Sequence, residues 1–305
     1  MICEKNNKTV HICVPTYKEH KHVILFIKCL LKNTYKNWIV YIVNANPEDD
    51  LGDKIMNLFK EISEKIILID GKESEYWSAT VNRGLYKIKD YNKQGDKLII
   101  ANVDNTFSSN LLNNLVKNHK DNIQLGCVSI NNKREITKTG IRVKNWFLAI
   151  NEHIMINQKI DNLKKKICKV DFLPISFVMF PIEIINKNFY IDAKFLPHYG
   201  GDYAYSLDLD SKGYTPYIDF SSVVRNQEEN TGFCIYKKKI KLIKRIKNLF
   251  SIKNPSSLKH RFWLVMRYYP LYARPTAFIS YAIKSLFETL LGGFYIGTFK
   301  KVIGK

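Results

Sequence analysis

The sequence predicts an α/β fold with a largely parallel sheet, and three observations lead to this prediction. Apolar strand segments and amphipathic helix segments alternate four times with short connections in the first 123 residues, which is typical of parallel strands joined by right-handed crossovers. The segment 97–101 ends in four consecutive apolar residues, as expected of a strand buried on both faces. From about residue 124 onward, strand segments follow one another with few helices between them, so we expect the sheet to continue as a mixed sheet.

The first half contains the four strand–helix pairs. β-Branched and apolar runs predict strands at residues 10–14, 38–43, 65–69 and 97–101. The first strand should end at Pro15, because proline cannot donate to a central ladder. Apolar residues at spacings of three and four predict helices at residues 20–32, 53–62, 77–88 and 111–118.

The second half is predicted to be α+β. Strands are expected at residues 125–130, 140–150 and 214–224, and a helix at residues 202–211 that ends before Gly213. Residues 170–180 between them are strongly apolar. Together the two halves, 1–123 and 124–234, should form one domain. A basic, amphipathic, helical extension follows at residues 235–305, with Tyr236, Ile240, Ile243, Ile246 and Phe250 on one face and further aromatic residues beyond Pro255.

The positive charge of the chain is concentrated in this extension. Residues 235–305 contain sixteen Lys or Arg and one acidic residue, Glu288, so about +15 of the formal net charge of +20 lies there. A basic segment of this kind indicates an anionic partner, either a membrane surface or a nucleic acid. A third interpretation is a pair of helices packed on the domain with solvated lysines.

The six cysteines are scattered and form no C-x-x-C pair. This predicts free thiols in a reducing compartment and argues against zinc. The sequence shows neither a signal-peptide core nor an uninterrupted apolar stretch of about 18 residues. We therefore expect a cytoplasmic protein.

Polar residues follow several of the predicted strands. Pro15-Thr16-Tyr17, Asn44-Ala45-Asn46 and Asn102-Val103-Asp104 each come directly after a strand, and Trp77 opens a helix. In α/β sheets such strand ends gather at one edge, where ligands bind. The segment His198-Tyr199-Gly200-Gly201-Asp202 comes from the second half. Considered singly, Asp104 has an alternative explanation as a turn residue, and Asp202 has one as a helix cap.

Five motifs in sequence order resemble a known family. They are V-P-T-Y at 14–17, the amide-rich end of the second strand at 44–46, E-Y-W-S-A-T-V-N-R-G-L at 75–85, A-N-V-D-N at 101–105 and H-Y-G-G-D at 198–202. Over residues 9–225 the chain resembles the inverting family 2 glycosyltransferases, in particular their rhamnosyltransferase-like branch. The resemblance implies a nucleotide-diphospho-sugar transferase fold (Rossmann-like, GT-A type), with a nucleotide-binding half at 1–123 and an acceptor half at 124–234.

The resemblance also implies roles for individual residues. Asp202 is expected to act as catalytic base, and Asp104 to hold a divalent cation, Mg²⁺ or Mn²⁺. The expected nucleotide-sugar contacts are Pro15, Thr16, Tyr17, Glu19, Asn44, Asn46, Trp77, Ser78, Asn82, Asn102, Asp104 and Arg225. The expected acceptor contacts are His198, Tyr199, Gly200 and Gly201.

These residue types suit sugar transfer from a nucleotide. A cation held by a carboxylate neutralises charge that develops on the diphosphate, and a second carboxylate accepts the proton of the attacking hydroxyl. The chain departs from the family pattern at two places. Asn102 replaces an aspartate of the metal motif, and Arg225 follows the last strand where the family often has a histidine. We expect Arg225 to supply positive charge to the diphosphate.

The resemblance thus predicts a hexosyltransferase that extends a glycan or lipid-linked acceptor in the synthesis of a surface polysaccharide such as a capsule. The Lys- and Asn-rich composition suggests an AT-rich bacterial genome. For the extension we favour the cytoplasmic face of the inner membrane as partner, since the family commonly extends lipid-linked glycans.

Two alternatives belong to other functional classes. A sugar nucleotidyltransferase has the same fold, but a Gly-rich, basic phosphate loop does not follow the first strand. A nucleic-acid-binding protein could use the basic extension, but no RNA-binding motif occurs in the chain. We therefore expect no nucleic-acid partner.

Overall fold

The computed structural model describes residues 8–163, 166–226 and 242–290. The predicted boundary between domain and extension at residues 234 and 235 lies outside these ranges. So do Tyr236, Ile240, Cys3 and Cys234. The cysteines at 13, 29, 127 and 168 are free thiols, as predicted.

The first half alternates strands and helices as the sequence predicts. Its elements are β1 (Val10–Thr16), α1 (His20–Lys32), β2 (Trp38–Asn44), α2 (Leu51–Leu58), β3 (Ile66–Asp70), α3 (Trp77–Lys89), β4 (Lys97–Ala101), β5 (Asn105–Phe107) and α4 (Leu111–Asn118). Strand β1 lies between β4 and β2, β2 pairs with β3, and all three pairings are parallel. The predicted parallel arrangement is confirmed.

The second half adds strands of both directions. Its elements are β6 (Ile123–Ile130), β7 (Ile136–Lys138), β8 (Ile141–Asn145), β9 (Ile150–His153), β10 (Ile167–Lys169), β11 (Phe177–Pro181), α5 (Glu183–Asn186), α6 (Gly201–Ser211) and β12 (Thr215–Asn226). The main sheet has the order β10-β12-β6-β11-β4-β1-β2-β3, with β5 on β12 and β7 on β6. Strand β11 is antiparallel to β4 and β6, so the sheet is mixed.

Helices cover both faces of this sheet. Apolar side chains of α1, α2 and α4, such as Phe26, Ile55 and Leu112, form one buried core with the strands. Side chains of α3 and α6, such as Leu85 and Leu209, form a second core on the opposite face. The central strands are therefore buried on both sides, which explains their uninterrupted apolar sequences.

One predicted strand of the second half is wrong in extent, and the apolar segment 170–180 is a strand only at its end. Residues 140–150 form a hairpin of β8 and β9 instead of one strand, because the chain turns at 146–149 and Ala149 takes a left-handed φ of 48°. Within 170–180 only the end is a strand, β11. The segment before it instead forms isolated contacts, such as the bridge from Phe172 to Ile141.

The extension contributes helices α7 (Leu242–Asn248), α8 (Leu258–Tyr268) and α9 (Arg274–Leu290). Helices α8 and α9 pack on α6 through a third apolar cluster, in which Leu264 and Val265 meet Leu196 and Ala204. Tyr269 and Tyr281 are buried there. The extension is therefore attached to the domain, and part of its aromatic content serves packing rather than a surface. None of the helices described is long and apolar enough to cross a membrane.

Candidate functional site

The C-terminal ends of β1 and β4 open into a cleft of about 730 Å³. Several residues predicted to bind a ligand line it: Pro15, Thr16, Tyr17, Glu19, Trp77, Asn102, Asp104, His198 and Tyr199. These residues come from four separate segments of the chain. The structure therefore brings together the first, third, fourth and fifth of the motifs, as the strand-end argument predicts.

Asp104 follows β4 and has an unusual environment. Its Oδ1 atom is buried and has no hydrogen-bond partner among the described residues, whereas the side-chain amide of Asn226 donates a hydrogen bond to the carboxylate. Burial raises the pKa of Asp104, although Lys138 and Asn226 act in the opposite direction. Burial and the neighbouring charge of Asp104 also raise the pKa of Glu19. Two carboxylates thus share a site that would be stabilised by a cation.

Asn102 positions a ring instead of offering a free ligand atom. Its Oδ1 accepts a hydrogen bond of 3.0 Å from the indole nitrogen of Trp77. The amide of Asn105 donates to the carbonyl oxygens of Asn102 and Ser176, at 2.9 Å each. These bonds fix the turn after β4, so that Trp77 and Asp104 both line the cleft.

Asp202 lies in the first turn of α6 and is partly exposed. Burial raises the pKa of Asp202 to about 6, against hydrogen bonds from backbone N–H groups and the charge of Lys138. Asp202 is not among the residues that line the cleft, but Lys138 is. The positive charge of Lys138 therefore acts on both Asp104 and Asp202.

Ser78, Asn82 and Gly201 hold the loop before α6 on helix α3. Ser78 donates a 2.6 Å hydrogen bond to the carbonyl of Leu196. The amide of Asn82 both donates to and accepts from the backbone of Ile191, at 2.8 and 2.9 Å. A Cβ on Gly201 would be 2.9 Å from the Leu196 oxygen. None of the three lines the cleft. Their role in the structure is to position the loop before α6 on helix α3.

Gly200 has a conformational requirement of its own. Its φ of 79° lies in the left-handed region, and it precedes the first residue of α6. A glycine meets this requirement without strain. Gly200 therefore directs the chain from His198 and Tyr199, which line the cleft, into the helix that carries Asp202.

We expect Asn82→Ala to lower the free energy of unfolding by about 1–3 kcal/mol, because it leaves the buried N–H of Ile191 unpaired, whereas the C=O of Ile191 keeps its hydrogen bond from the N–H of Ala193. Urea denaturation measures this change. Asn132→Ala is the matched control, since Asn132 is exposed and its loss should stay within about 0.5 kcal/mol. An Asn82→Ala variant as stable as the control would contradict this positioning role.

Asn44 and Asn46 form a closed turn after β2. Both amides donate to Asp49, at 2.8 and 3.1 Å, and His20 contacts the same carboxylate at 2.7 Å. Partial burial raises the pKa of Asp49, but the hydrogen bonds from His20, Asn46 and Asn44 together lower it to about 2. Only Ala45, between the two asparagines, lines the cleft, so the two predicted amide contacts are used within the loop.

Arg225 is exposed and does not line the cleft, whereas its neighbour Asn226 does. Successive side chains of a strand point to opposite sides, and in β12 the alternation places Asn226 beside Asp104. Among the described residues, the positively charged side chains that line the cleft are those of Lys138 and Lys253. The sequence pattern does not reveal either lysine, because Lys138 lies in an ordinary short strand and Lys253 is one of many cations in the extension.

Lys253 stands near the predicted acceptor residues. The pKa of His198 is lowered by burial and by the charge of Lys253, and burial raises the pKa of Tyr199. The rings of His198 and Tyr199 are 4.4 Å apart, and Tyr76 lies 5.8 Å from His198. The extension therefore contributes directly to one wall of the cleft.

A divalent cation fits this site only in part. The described residues contain no group of three or more His, Cys, Asp or Glu side chains that could hold a metal. Asp104 and Glu19 can supply one or two carboxylates, and Asp104 Oδ1 is available. This suits Mg²⁺ or Mn²⁺, which commonly take their remaining ligands from water and phosphate groups of a substrate.

Comparisons with known proteins agree with this geometry. Residues 11–189 match the family model described as "Glycosyl transferase family 2". The structure is similar to the mannosyltransferase PcManGT from Pyrobaculum calidifontis in complex with GDP-Man and Mn²⁺, with a TM-score of 0.55 and 14% identity over 97% of this chain and 79% of that chain. It is also similar to GalNAc-T7 with UDP, GalNAc and Mn²⁺, with a TM-score of 0.57 and 11% identity over 73% of this chain and 44% of that chain. No curated protein sequence matches the chain.

At these identities the structural likeness concerns the fold alone. It confirms the predicted nucleotide-diphospho-sugar transferase fold, with a mixed sheet flanked by helices and a helical C-terminal segment.

Proposed function

The chain belongs to glycosyl transferase family 2, and on this premise we propose that it transfers a hexosyl group from a nucleotide-diphospho-sugar to a hydroxyl of a glycan or lipid-linked acceptor, with inversion. One observation carries this proposal. A buried carboxylate oxygen of Asp104, with no hydrogen-bond partner in the part of the chain that the structure describes, lies at the end of β4 in a cleft that Lys138 also lines. Such a site can bind a cation through the carboxylate of Asp104 and phosphate groups through the charge of Lys138.

The cleft has a suitable size and composition for the donor. Its volume of about 730 Å³ falls within the range of about 300–1,000 Å³ for small-molecule sites. The base and ribose would lie along Pro15, Thr16, Tyr17 and Glu19, and the diphosphate beside Asp104. The proposal of a hexose is supported by the titles of the two similar structures, which contain GDP-Man, and UDP with GalNAc.

Asp104, with Glu19 beside it, would hold the divalent cation. The cation would supply neutralisation of the charge that develops on the leaving diphosphate. Both similar structures are complexes with Mn²⁺, which favours Mn²⁺ or Mg²⁺ here. The unpartnered Oδ1 of Asp104 is the atom of this chain best placed to be a ligand.

Asp202 would act as the base. The hydroxyl of the acceptor gives its proton to the carboxylate while its oxygen forms a bond to the anomeric carbon, and the bond from that carbon to the diphosphate breaks on the opposite side. A carboxylate with a pKa of about 6 is a better proton acceptor near neutral pH than an ordinary aspartate. Because Asp202 lies outside the cleft wall, the acceptor would reach it from the side of Tyr199 and Lys138.

The proposal also covers the residues that contact the acceptor and the biological setting of the enzyme. His198 and Tyr199 would contact the acceptor, while Gly200 and Gly201 shape the backbone beneath it. The composition supports a bacterial source and a surface polysaccharide such as a capsule, and the basic extension supports work at the cytoplasmic face of a membrane. Membership of the rhamnosyltransferase-like branch remains part of the hypothesis.

A thermal-shift screen with UDP-, GDP-, CDP- and dTDP-sugars, each with and without Mn²⁺, tests this function. We expect one nucleotide class to raise the unfolding temperature, since a ligand at 100 times its Kd stabilises by about 2.7 kcal/mol. The shift should grow when Mn²⁺ is present. A protein that responds to none of the nucleotide sugars would contradict the proposal.

Lys138→Met should lower kcat/KM by about 10²-fold, because the lost charge faces both the diphosphate side and Asp202. Since Lys138 lowers the pKa of Asp202, its removal should also move the acidic limb of the pH–rate profile to higher pH. Steady-state kinetics between pH 5 and 8 measures both effects. Lys133→Met, which changes an exposed lysine of the preceding turn, is the control, and Lys138→Arg should retain most activity. An unmoved acidic limb would exclude the link to Asp202.

A further inference from the structure

The extension carries an exposed apolar face. On α9, Ile279, Ile283 and Leu286 recur at spacings of four and three residues and therefore share one side of the helix. Ile279 is 58% exposed and Ile283 is 50% exposed. Ile243 and Ile246 on α7, and Phe250 two residues after its end, are likewise exposed and similarly spaced, with Ile243 at 72%. We call these six residues the apolar face.

The two rows stand on helices that are in contact with each other. Helix α7 packs against α9, so their exposed apolar residues stand on neighbouring helices. The opposite sides of α8 and α9 are occupied, because Val265, Ala277 and Tyr281 are packed against the domain. The apolar face is therefore the side of the extension that stays exposed when the opposite side packs on α6. Adjacent exposed apolar residues of this kind mark an interaction surface.

The charge around the apolar face indicates the chemistry of the partner. The described part of the extension, residues 242–290, contains nine Lys or Arg and one acidic residue, a net charge of about +8. Their only acidic residue, Glu288, pairs with Arg261 at 2.9 Å, whereas Lys247 and Lys259 are exposed. A second copy of the same surface would bring two strongly positive segments together. An RNA partner would use stacking aromatic side chains. Aromatic side chains such as Phe287 are also exposed here, but the exposed rows on α7 and α9 consist mainly of Ile and Leu.

We propose that the apolar face inserts into the interface of an anionic phospholipid membrane, with the surrounding lysines on the lipid phosphates. Aliphatic side chains beside exposed cations match the two layers that such a surface offers, acyl chains below and phosphates above. The inference rests on the proposed function only for the acceptor, because membrane binding itself requires no donor and no transfer.

Docking of this face would bring the cleft close to the lipid. Phe250 belongs to the apolar face, and Lys253, three residues later, lines the cleft beside His198 and Tyr199. Three residues span at most about 11 Å. The acceptor side of the cleft is therefore within about 11 Å, along the chain, of a side chain placed in the membrane interface. An acceptor linked to a lipid would enter the cleft from this side.

Vesicle flotation with the full chain tests the proposal. We expect the protein to float with vesicles of phosphatidylglycerol and phosphatidylcholine, and to stay unbound with phosphatidylcholine alone. Ile279→Asp combined with Ile283→Asp should lower the bound fraction at least tenfold. The matched control is Met56→Asp combined with Leu58→Asp, which adds the same charge at two exposed apolar residues of α2 and should leave binding within twofold. Circular dichroism establishes that all variants are folded.

Three results would overturn the proposal. Equal flotation of the Ile279/Ile283 variant would show that the lysines bind anionic lipid without the apolar face. A wild-type dimer in sedimentation that the same variant converts to a monomer, without flotation of either, would assign the face to a second copy. A wild-type monomer that binds no vesicles would show that the face has another occupant, such as a segment of this chain. Failure of donor binding in the thermal-shift screen leaves each of these readouts unaffected.

Discussion

Asp202→Asn is expected to lower kcat by about 10²–10⁴-fold, the usual contribution of a general base. The asparagine keeps the shape of the side chain and can still accept hydrogen bonds from the backbone at the start of α6, but it cannot take a proton. Because Asp202 does not line the donor cleft, donor affinity should change little. Steady-state kinetics with varied donor and acceptor separates the two effects.

Asp210→Asn serves as the matched control for Asp202→Asn. Asp210 is exposed and lies two turns further along the same helix, so its change should leave kcat within about twofold. If the Asp202 variant also retained full kcat, Asp202 would be only a residue that stabilises the N-terminus of α6, and another base would have to be sought.

The assignment of Asp202 as the base also predicts how the activity of the wild-type enzyme depends on pH. The base must be deprotonated to accept the proton, so activity is present above its pKa and is lost below it. With the pKa of Asp202 raised to about 6 by burial, log kcat/KM should fall with unit slope below about pH 6. An ordinary aspartate would keep activity to about pH 4. A profile that is flat between pH 4.5 and 7 would contradict the assignment.

Asp104→Asn is expected to lower kcat/KM by about 10²–10³-fold, because it removes a charge that holds the cation beside the developing charge of the diphosphate. The Mn²⁺ concentration for half-maximal activity should rise at the same time. Asp53→Asn, at an exposed position on α2, is the control and should change neither quantity.

The stability of the cation-free protein distinguishes a site residue from a structural one at this position. Burial raises the pKa of Asp104, which means that its charged form is disfavoured where it stands. The Asp104→Asn variant should therefore unfold at the same or a higher temperature than the wild type without Mn²⁺, and should no longer be stabilised by Mn²⁺ with donor. A large loss of stability without Mn²⁺ would indicate that Asp104 serves the turn after β4.

Much of the fold could be predicted from the sequence. The predicted bounds of α1, β4 and α4 coincide with those in the structure, because periodic apolar patterns record which face of each segment is buried. The short strands β5, β7 and β10 were not predicted. Three-residue strands exist only because a neighbouring strand supplies their hydrogen bonds, and for β5 and β10 that neighbour, β12, is distant in sequence. Strand β7 pairs with the preceding strand β6 but is too short to show a pattern of its own.

The candidate site was predictable to the level of segments, but not to the level of side chains. The end of β12 lies at the cleft, but Asn226 rather than Arg225 lines it. A shift of one residue reverses the side to which a strand residue points. Asn44 and Asn46 also lie at the expected strand end, but Asp49 uses their amides.

By itself, the sequence determined the alternation of strands and helices and the carboxylate at the end of β4, since these depend on patterns among neighbouring residues. Only the tertiary structure decided that Lys138 and Lys253 share the cleft with Asp104. It likewise decided that the extension packs on α6 and leaves an apolar face outward. Lys253 lies 149 residues after Asp104. Contacts over such separations depend on strand register and helix packing, which a local pattern of residues does not record.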